Sequence, residues 1–296
     1  MKILISGASG FIGKAVKNSL SLKGHKVVPL HRDTTQKTPY WNIENKVIEL
    51  GDDHQIDVVI HLAGENIAQG RWSKKKKERI LKSRVEGTRL ICDFFSKTNY
   101  QPKIIISGSA IGFYGNRGDE ELNEESARGS GFLPEVCSQW EEATKAASTS
   151  GIRVANMRFG MVLSPKGGAF AKMLFPFKIG LGGTIGNGKQ YMSWITLVDV
   201  VEIIDQIIKN EALCGPINIV SPNPVTNSYF TKMLGKTLHR PAILPFPAFL
   251  AKIIFGEMAK ELLLASAKVI PSKLQKNGYV FKYPTLETAL KRLVRK

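Results

Sequence analysis

Short apolar runs alternate along this chain with longer stretches whose apolar positions recur every three or four residues. The first pattern predicts buried strands and the second predicts helices packed on them. Lys2–Ser6 is a strand by this reading, residues 14–22 a helix ended by Gly24, and Lys26–Leu30 a second strand. Ile56–Leu62, residues 102–109 around Lys103–Ile106, Ile152–Phe159, Ser193–Thr196 and Gly215–Val220 continue the strand series. Between them, helices are expected from an N-cap at Ser73 to Phe95 with a break at Gly87, and over 132–148, 169–177 and 197–208. Alternation of this kind up to residue 225 predicts an α/β fold, a doubly wound parallel sheet of Rossmann type. After it, helices over 227–238, 247–269 and 285–294, broken by Pro241, Pro245 and Pro247, predict a small helical C-terminal domain over 226–296 on the substrate side.

The first strand runs into Gly7, Gly10 and Gly13, spaced G-x-x-G-x-x-G, at the start of a helix. Strand, glycine turn, helix and strand in about 30 residues form a dinucleotide-binding context. Glycine lets backbone approach a pyrophosphate, and a helix N-terminus offers it free N–H groups and a positive dipole. The cofactor contacts expected here are Gly7, Ser9, Gly10, Phe11, Ile12 and Gly13. A strand C-terminus is where ligands lie on open α/β sheets. That rule adds Leu62, Ala63 and Gly64, then Ser107, and Phe159, Gly160 and Met161. At the end of the second strand, Arg32 suits the 2′-phosphate of NADP, with His31 beside it, whereas Asp33 one residue on would suit the ribose of NAD. NADP is the preferred cofactor on this ground.

Composition changes the picture in two places. Lys and Arg number 42 against 25 Asp and Glu, a net charge of +17. Such a balance can serve nucleic acid, anionic membranes or anionic substrates. The lysines are dispersed apart from Lys74–Lys77, which reads as the wet face of a helix, so no nucleic-acid partner is expected. Cys92, Cys137 and Cys214 are odd in number and widely spaced, which argues for a reducing compartment and against a disulfide framework or a metal site. No apolar run has the length of a membrane span and no leader peptide is visible. The expectation is a cytoplasmic protein, monomeric or homodimeric, with a small-molecule substrate and no membrane partner. The hydroxyl-rich loop Ser107–Gly115 marks Ser109 and Tyr114 as catalytic candidates. The acidic stretch 116–131 reads as an exposed loop, and the glycine-dense 180–188 as a flexible wall of the substrate cleft.

The glycine turn with Phe11-Ile12 before its last glycine resembles the extended short-chain dehydrogenase/reductases. Further segments sharpen the resemblance: His61–Asn66, Arg71-Trp72, Ser83-Arg84 with Thr88, Ser107–Gly115, Trp140-Glu141, the 181–188 glycine loop, Ser193–Ile195 and Asp199. So do Arg240-Pro241, Gly256-Glu257, Val269–Pro271 and Gly278–Phe281. Together they are similar to the atypical epimerase-family proteins of the SDR39U1-like, or YfcH-like, group over nearly the whole chain. The resemblance implies NADP(H) held by the glycine turn, His31-Arg32, Leu62-Ala63 and Arg84, an arginine standing where extended reductases carry Asn. It implies epimerase or oxidoreductase chemistry on a carbonyl or hydroxyl substrate, with a nucleotide sugar as one candidate. It also exposes a departure. The helix expected to carry the superfamily's Tyr-x-x-x-Lys reads Cys137-Ser-Gln-Trp-Glu141. Tyr114 is then the candidate replacement acid beside Ser109. The alternative function is a catalytically degenerate NADP(H)-binding regulator, for example of cell division.

Overall fold

A computed structural model of the chain describes residues 1–32, 38–52 and 55–294. Six parallel strands form its centre: β1 (Lys2–Ser6), β2 (Lys26–Leu30), β3 (Val58–His61), β4 (Ile104–Ala110), β5 (Arg153–Phe159) and β6 (Gly215–Ile219). Their order across the sheet is β6-β5-β4-β3-β1-β2. The winding therefore reverses beside β1, and a crevice opens where the C-terminal ends of β1 and β3 diverge.

Both faces of the sheet are covered, which is why its strands are apolar runs without alternation. Ile3, Ile5, Val58, Ile60, Ile104 and Ile106 point to one core, shared with helix α6 (Leu197–Lys209) and helix α1 (Phe11–Leu22). Leu4, Val59 and Ile105 point to the other, shared with helix α2 (Lys74–Ser96). Ser73 caps α2 through a hydrogen bond from the Lys76 amide, as its sequence position predicts. The expected break at Gly87 does not occur, and α2 runs through it. A Cβ at Gly87 would lie 3.1 Å from the Trp41 ring, so this glycine makes room for a buried tryptophan.

The helix expected over 132–148 is two helices, α3 (Phe132–Glu142) and α4 (Lys145–Thr149). Helix α5 (Gly168–Lys178) follows β5. Beyond the sheet lie α7 (Asn227–Leu238), α8 (Ala248–Phe255), α9 (Ser272–Lys276) and α10 (Leu286–Val294). The long helix expected over 247–269 ends at Gly256, whose φ is +61°, and gives way to a π-helical turn at Ala259–Leu263 and a strand at Lys268–Val269. That strand pairs in parallel with Glu121–Leu122, so the acidic stretch is partly interior: Leu122 and Glu124 are buried.

The C-terminal helices do not form a core of their own. Phe230, Leu234, Leu286 and Leu290 pack with Leu163, Phe170, Leu174, Phe177 and Trp194 from the segment between β5 and α6.

Candidate functional site

The glycine turn does what its spacing predicts, and each glycine has its own reason. Gly7 has φ +73°, and a Cβ on it would sit 2.8 Å from the Ala63 amide. A Cβ on Gly13 would sit 2.1 Å from the Gly7 carbonyl oxygen. These two glycines let β1, β3 and α1 meet. Gly10 is different: its Cβ would meet only the Gly7 oxygen, at 3.1 Å, and the residue is exposed beside exposed Ser9. No side chain caps α1 and no acidic residue stands in its first turn. Its first N–H groups, those of Phe11, Ile12 and Gly13 among them, therefore carry the dipole's positive end without a side-chain cap. Phe11 closes one side by packing on Gly167 and Gly168. Leu62 is fixed by its amide on the Ser6 carbonyl, and Ala63 is buried against Gly7.

Arg32 lies exposed at the exit of β2, while Asp33, the residue that would favour NAD, lies outside the described residues. His31 spends its backbone on the segment that follows, its N–H on Pro39 and its carbonyl on Trp41. Nearby, Glu65 accepts a 2.5 Å hydrogen bond from Lys76 and lies 3.7 Å from Arg79. The Lys76 hydrogen bond chiefly, with the charges of Lys76, Arg79 and Arg32, holds the Glu65 carboxyl below its ordinary range. Arg84 reaches from α2 to the carbonyls of Glu65 and Ile80 and flanks Gly64. No carboxylate lies within ion-pair distance of it among the described residues, and burial lowers its pKa. Three cations thus stand around one acid, with a further, unpaired guanidinium beside Gly64.

Under this crevice sits His61, fully buried, its Nδ1 2.5 Å from the Ser6 hydroxyl and its Nε2 without a hydrogen-bond partner among the described residues. Burial, helped by the Arg84 charge, pushes its pKa down to about 3, so the ring is neutral. Ser107 is as enclosed, its hydroxyl on the Gly108 carbonyl; it offers a cofactor no surface, contrary to the expectation from its position. Gly160 also has an internal reason to be glycine, since a Cβ there would lie 2.4 Å from the Ser193 carbonyl oxygen. Met161 pairs with Ser193 through its amide, while Phe159, like Ala8, Ile12 and Leu62, packs against the core on the α1 and α6 face of the sheet.

At the end of β4 the side chains form a chain of bonds. Ser109 donates to Glu141 Oε1 at 2.6 Å. Arg158, from β5, grips both oxygens of Glu141 at 2.8 Å through Nε and Nη2, a bidentate pair. Its Nη1 donates to the Tyr114 hydroxyl at 2.9 Å, and its guanidinium lies 3.6 Å over the Phe113 ring. The one Tyr114 hydroxyl proton is in turn shared between Asn218 Oδ1 and the Asn123 carbonyl, both within hydrogen-bond reach. The Tyr114 hydroxyl, expected at the cleft as an acid, is completely buried, and that burial raises its pKa to about 12. Cys137, standing where the superfamily's tyrosine would be, is also buried, its pKa raised to about 12 by desolvation and then by Glu141.

Glu141 and Arg158 were not among the site residues that the sequence singled out. The available signal was Arg158 near the C-terminal end of a central strand, because a buried cation requires a partner. The glycine loop 180–188 is likewise less a loose wall than a fitted one. The amides of Leu244 and Phe246 bond the carbonyls of Gly182 and Thr184. A Cβ on Gly183 would fall 1.5 Å from the Leu244 carbonyl oxygen.

Comparison with known proteins places this geometry. Residues 3–219 match the NAD dependent epimerase/dehydratase family, and residues 246–293 match a domain of unknown function, DUF1731. Epimerase family protein Mb2239 of Mycobacterium bovis is 38% identical over 290 residues, 97% of this chain and 96% of its own. The crystal structure of human epimerase family protein SDR39U1 (isoform 2) with NADPH superposes with a TM-score of 0.91 at 32% identity, covering 99% of both chains. UDP-glucose 4-epimerase of Thermotoga maritima, solved with UDP-glucose, shares the fold alone: TM-score 0.75, 19% identity, 99% of this chain and 97% of that one. Among the described residues no helix is long and apolar enough to cross a membrane, and no group of His, Cys, Asp and Glu could hold a metal ion.

Proposed function

We propose that this chain, which belongs to the NAD dependent epimerase/dehydratase family, is an NADP(H)-dependent oxidoreductase or epimerase-like enzyme acting on a carbonyl or hydroxyl substrate without Tyr-x-x-x-Lys. The observation that carries the cofactor half is the uncapped N-terminus of α1 behind a turn whose exposed member, Gly10, has no side chain. The residues fit a dinucleotide diphosphate there, bound by the backbone of Ser9–Gly13. Arg32, with the cations around Glu65, fits a 2′-phosphate. That the human relative was solved with NADPH agrees with this choice. The bound cofactor would supply hydride chemistry; the protein supplies position and proton management.

On the substrate side, Ser109, with 2% of its surface exposed at the end of β4, is the hydroxyl in play in place of the usual tyrosine, and it meets substrate only when the side chains over it move aside. Its own proton is committed to Glu141. Its oxygen is therefore left as an acceptor for a substrate hydroxyl, and the Glu141 carboxylate is the base that can take a proton through it. Arg158 orients Glu141 for this role and balances its charge. Tyr114, with its hydroxyl enclosed, holds Arg158 in place and is not the proton donor.

A second reading, an NADP(H)-binding regulator, is favoured by one observation: the tyrosine and lysine places hold a buried neutral thiol and a paired carboxylate.

Titration with NADPH and NADH tests the cofactor half. The native chain should favour NADPH, and Arg32→Ala should cost NADPH roughly 30-fold, about 2 kcal/mol, and leave NADH nearly unchanged. Equal losses for both would sink the 2′-phosphate reading. NADPH oxidation with any member of a carbonyl panel, abolished in Ser109→Ala, would separate the enzyme from the regulator.

A further inference from the structure

Two long stretches of this chain contain no acidic residue. There is no Asp or Glu from Ala143 to Val198, and none from Ala212 to Gly256. The fold brings parts of the two together on one face. Leu244 and Phe246 hydrogen-bond into the glycine loop, and Arg240 Nε donates to the Lys178 carbonyl at 3.0 Å at the end of α5. Gly180 lies against Pro241. Ile243 borders the same recess as Lys232, Lys236 and Arg240.

Large apolar side chains on this face point into solvent. Ile243 is 79% exposed, Phe175 69% and Phe249 63%, and Ile179, Leu181 and Ile253 are more than half exposed. Isolated exposed apolar residues are ordinary, but a set drawn from two helices and two loops whose segments are tied together by these bonds and contacts marks an interaction surface. Cations accompany it: Lys172, Lys178, Lys232, Lys236, Arg240 and Lys252 are all exposed. None of them has a carboxylate within ion-pair distance among the described residues. The neighbouring acids beyond α8 are engaged elsewhere, Glu257 with Lys77 and Glu261 with the Leu133 amide.

We propose that this face docks on the surface of an anionic phospholipid bilayer. Aromatic and aliphatic side chains would enter the headgroup boundary while the lysines and Arg240 meet lipid phosphates. The sequence reading expected no membrane partner because no segment can span one; lying on a surface needs no span. A second copy of the chain is the poorer occupant. A two-fold interface sets the same patch against itself and would bring the unneutralised cations of both copies together. The face includes the loop that walls the cleft, and Arg71 ties α8 to the loop after β3 through the carbonyls of Ile253 and Ile254. Docking would therefore set the cleft's rim at the membrane.

Flotation of the full chain with lipid vesicles tests this. It should float with vesicles of phosphatidylcholine mixed with phosphatidylglycerol, less as salt rises, and not with phosphatidylcholine alone. The double variant Phe249→Ser/Ile253→Ser should lose flotation. Lys178→Glu/Lys236→Glu should weaken it by at least about fivefold for each lysine. Both variants should keep the native circular dichroism and melting temperature. No flotation, equal flotation with both kinds of vesicle, or native flotation in both folded variants would overturn the proposal. So would a homodimer in light scattering that the same variants convert to monomer, since it would assign the face to a second copy.

Discussion

The glycine turn and the Ser109 network lie at the ends of two strands separated by β3, yet they are built from opposite materials. The turn is made of backbone. Its donors are N–H groups, and its side chains matter mostly by being absent, at Gly7, Gly10 and Gly13. The network is made of side chains, each held by the next from Ser109 through Glu141 and Arg158 to Tyr114 and Asn218. A backbone site keeps its function through many changes of sequence provided the glycines remain. A side-chain site changes its chemistry when two residues change, and the resemblance to the extended reductases implies such a change at Cys137 and Glu141.

The largest effect that separates the two regions should come from Glu141→Ala. It leaves the Arg158 charge buried without its carboxylate, and unfolding in urea should show a loss of about 3–5 kcal/mol. NADPH affinity should hold at a temperature where the variant is folded. The double variant Glu141→Leu/Arg158→Met should recover most of the stability, because an apolar pair replaces an ion pair at little net cost. A Glu141→Ala variant as stable as the native chain would mean that the pair is not buried in solution. Next comes Gly10→Val, where the opposite pattern is expected. Its Cβ meets one atom, the Gly7 carbonyl oxygen at 3.1 Å, which must give by a few tenths of an ångström, so the melting temperature should fall only modestly while the side chain fills the pyrophosphate's place. Calorimetric titration should show NADPH affinity reduced roughly 100-fold, about 3 kcal/mol. Native affinity would place the nucleotide elsewhere. The smallest effect is Tyr114→Phe, expected to lower stability by about 1–2 kcal/mol and to change neither NADPH affinity nor any measured turnover. A tenfold slower turnover at native stability would restore Tyr114 as a proton donor.

The two regions also differed in how far they could be read from the sequence. Gly7, Gly10 and Gly13 announce themselves because a local spacing encodes a local structure, and the strand and helix around them follow from apolar periodicity. The Glu141–Arg158 pair joins residues from α3 and β5 that meet only when the sheet is assembled. Ser109 was legible from its position at a strand end; its partner was not. Tyr114 shares Ser109's loop, so proximity in sequence made it a catalytic candidate. The short helical turn at Ile111–Tyr114 instead aims its ring inward, to Asn218 on β6. The glycines of 180–188 were read as freedom when they are fit: Gly183 is what lets Leu244 approach. Composition alone cannot tell a glycine needed for motion from one needed for contact.

The packing of Leu163, Phe170 and Trp194 among the C-terminal helices has a consequence for inheritance. A recombination event that exchanged only the chain beyond residue 226 would strand half of a shared interior on each parent. New specificities in this lineage should therefore arrive by paired drift across the two segments, not by cassette exchange, and a graft for engineering must carry residues 161–196 together with the tail.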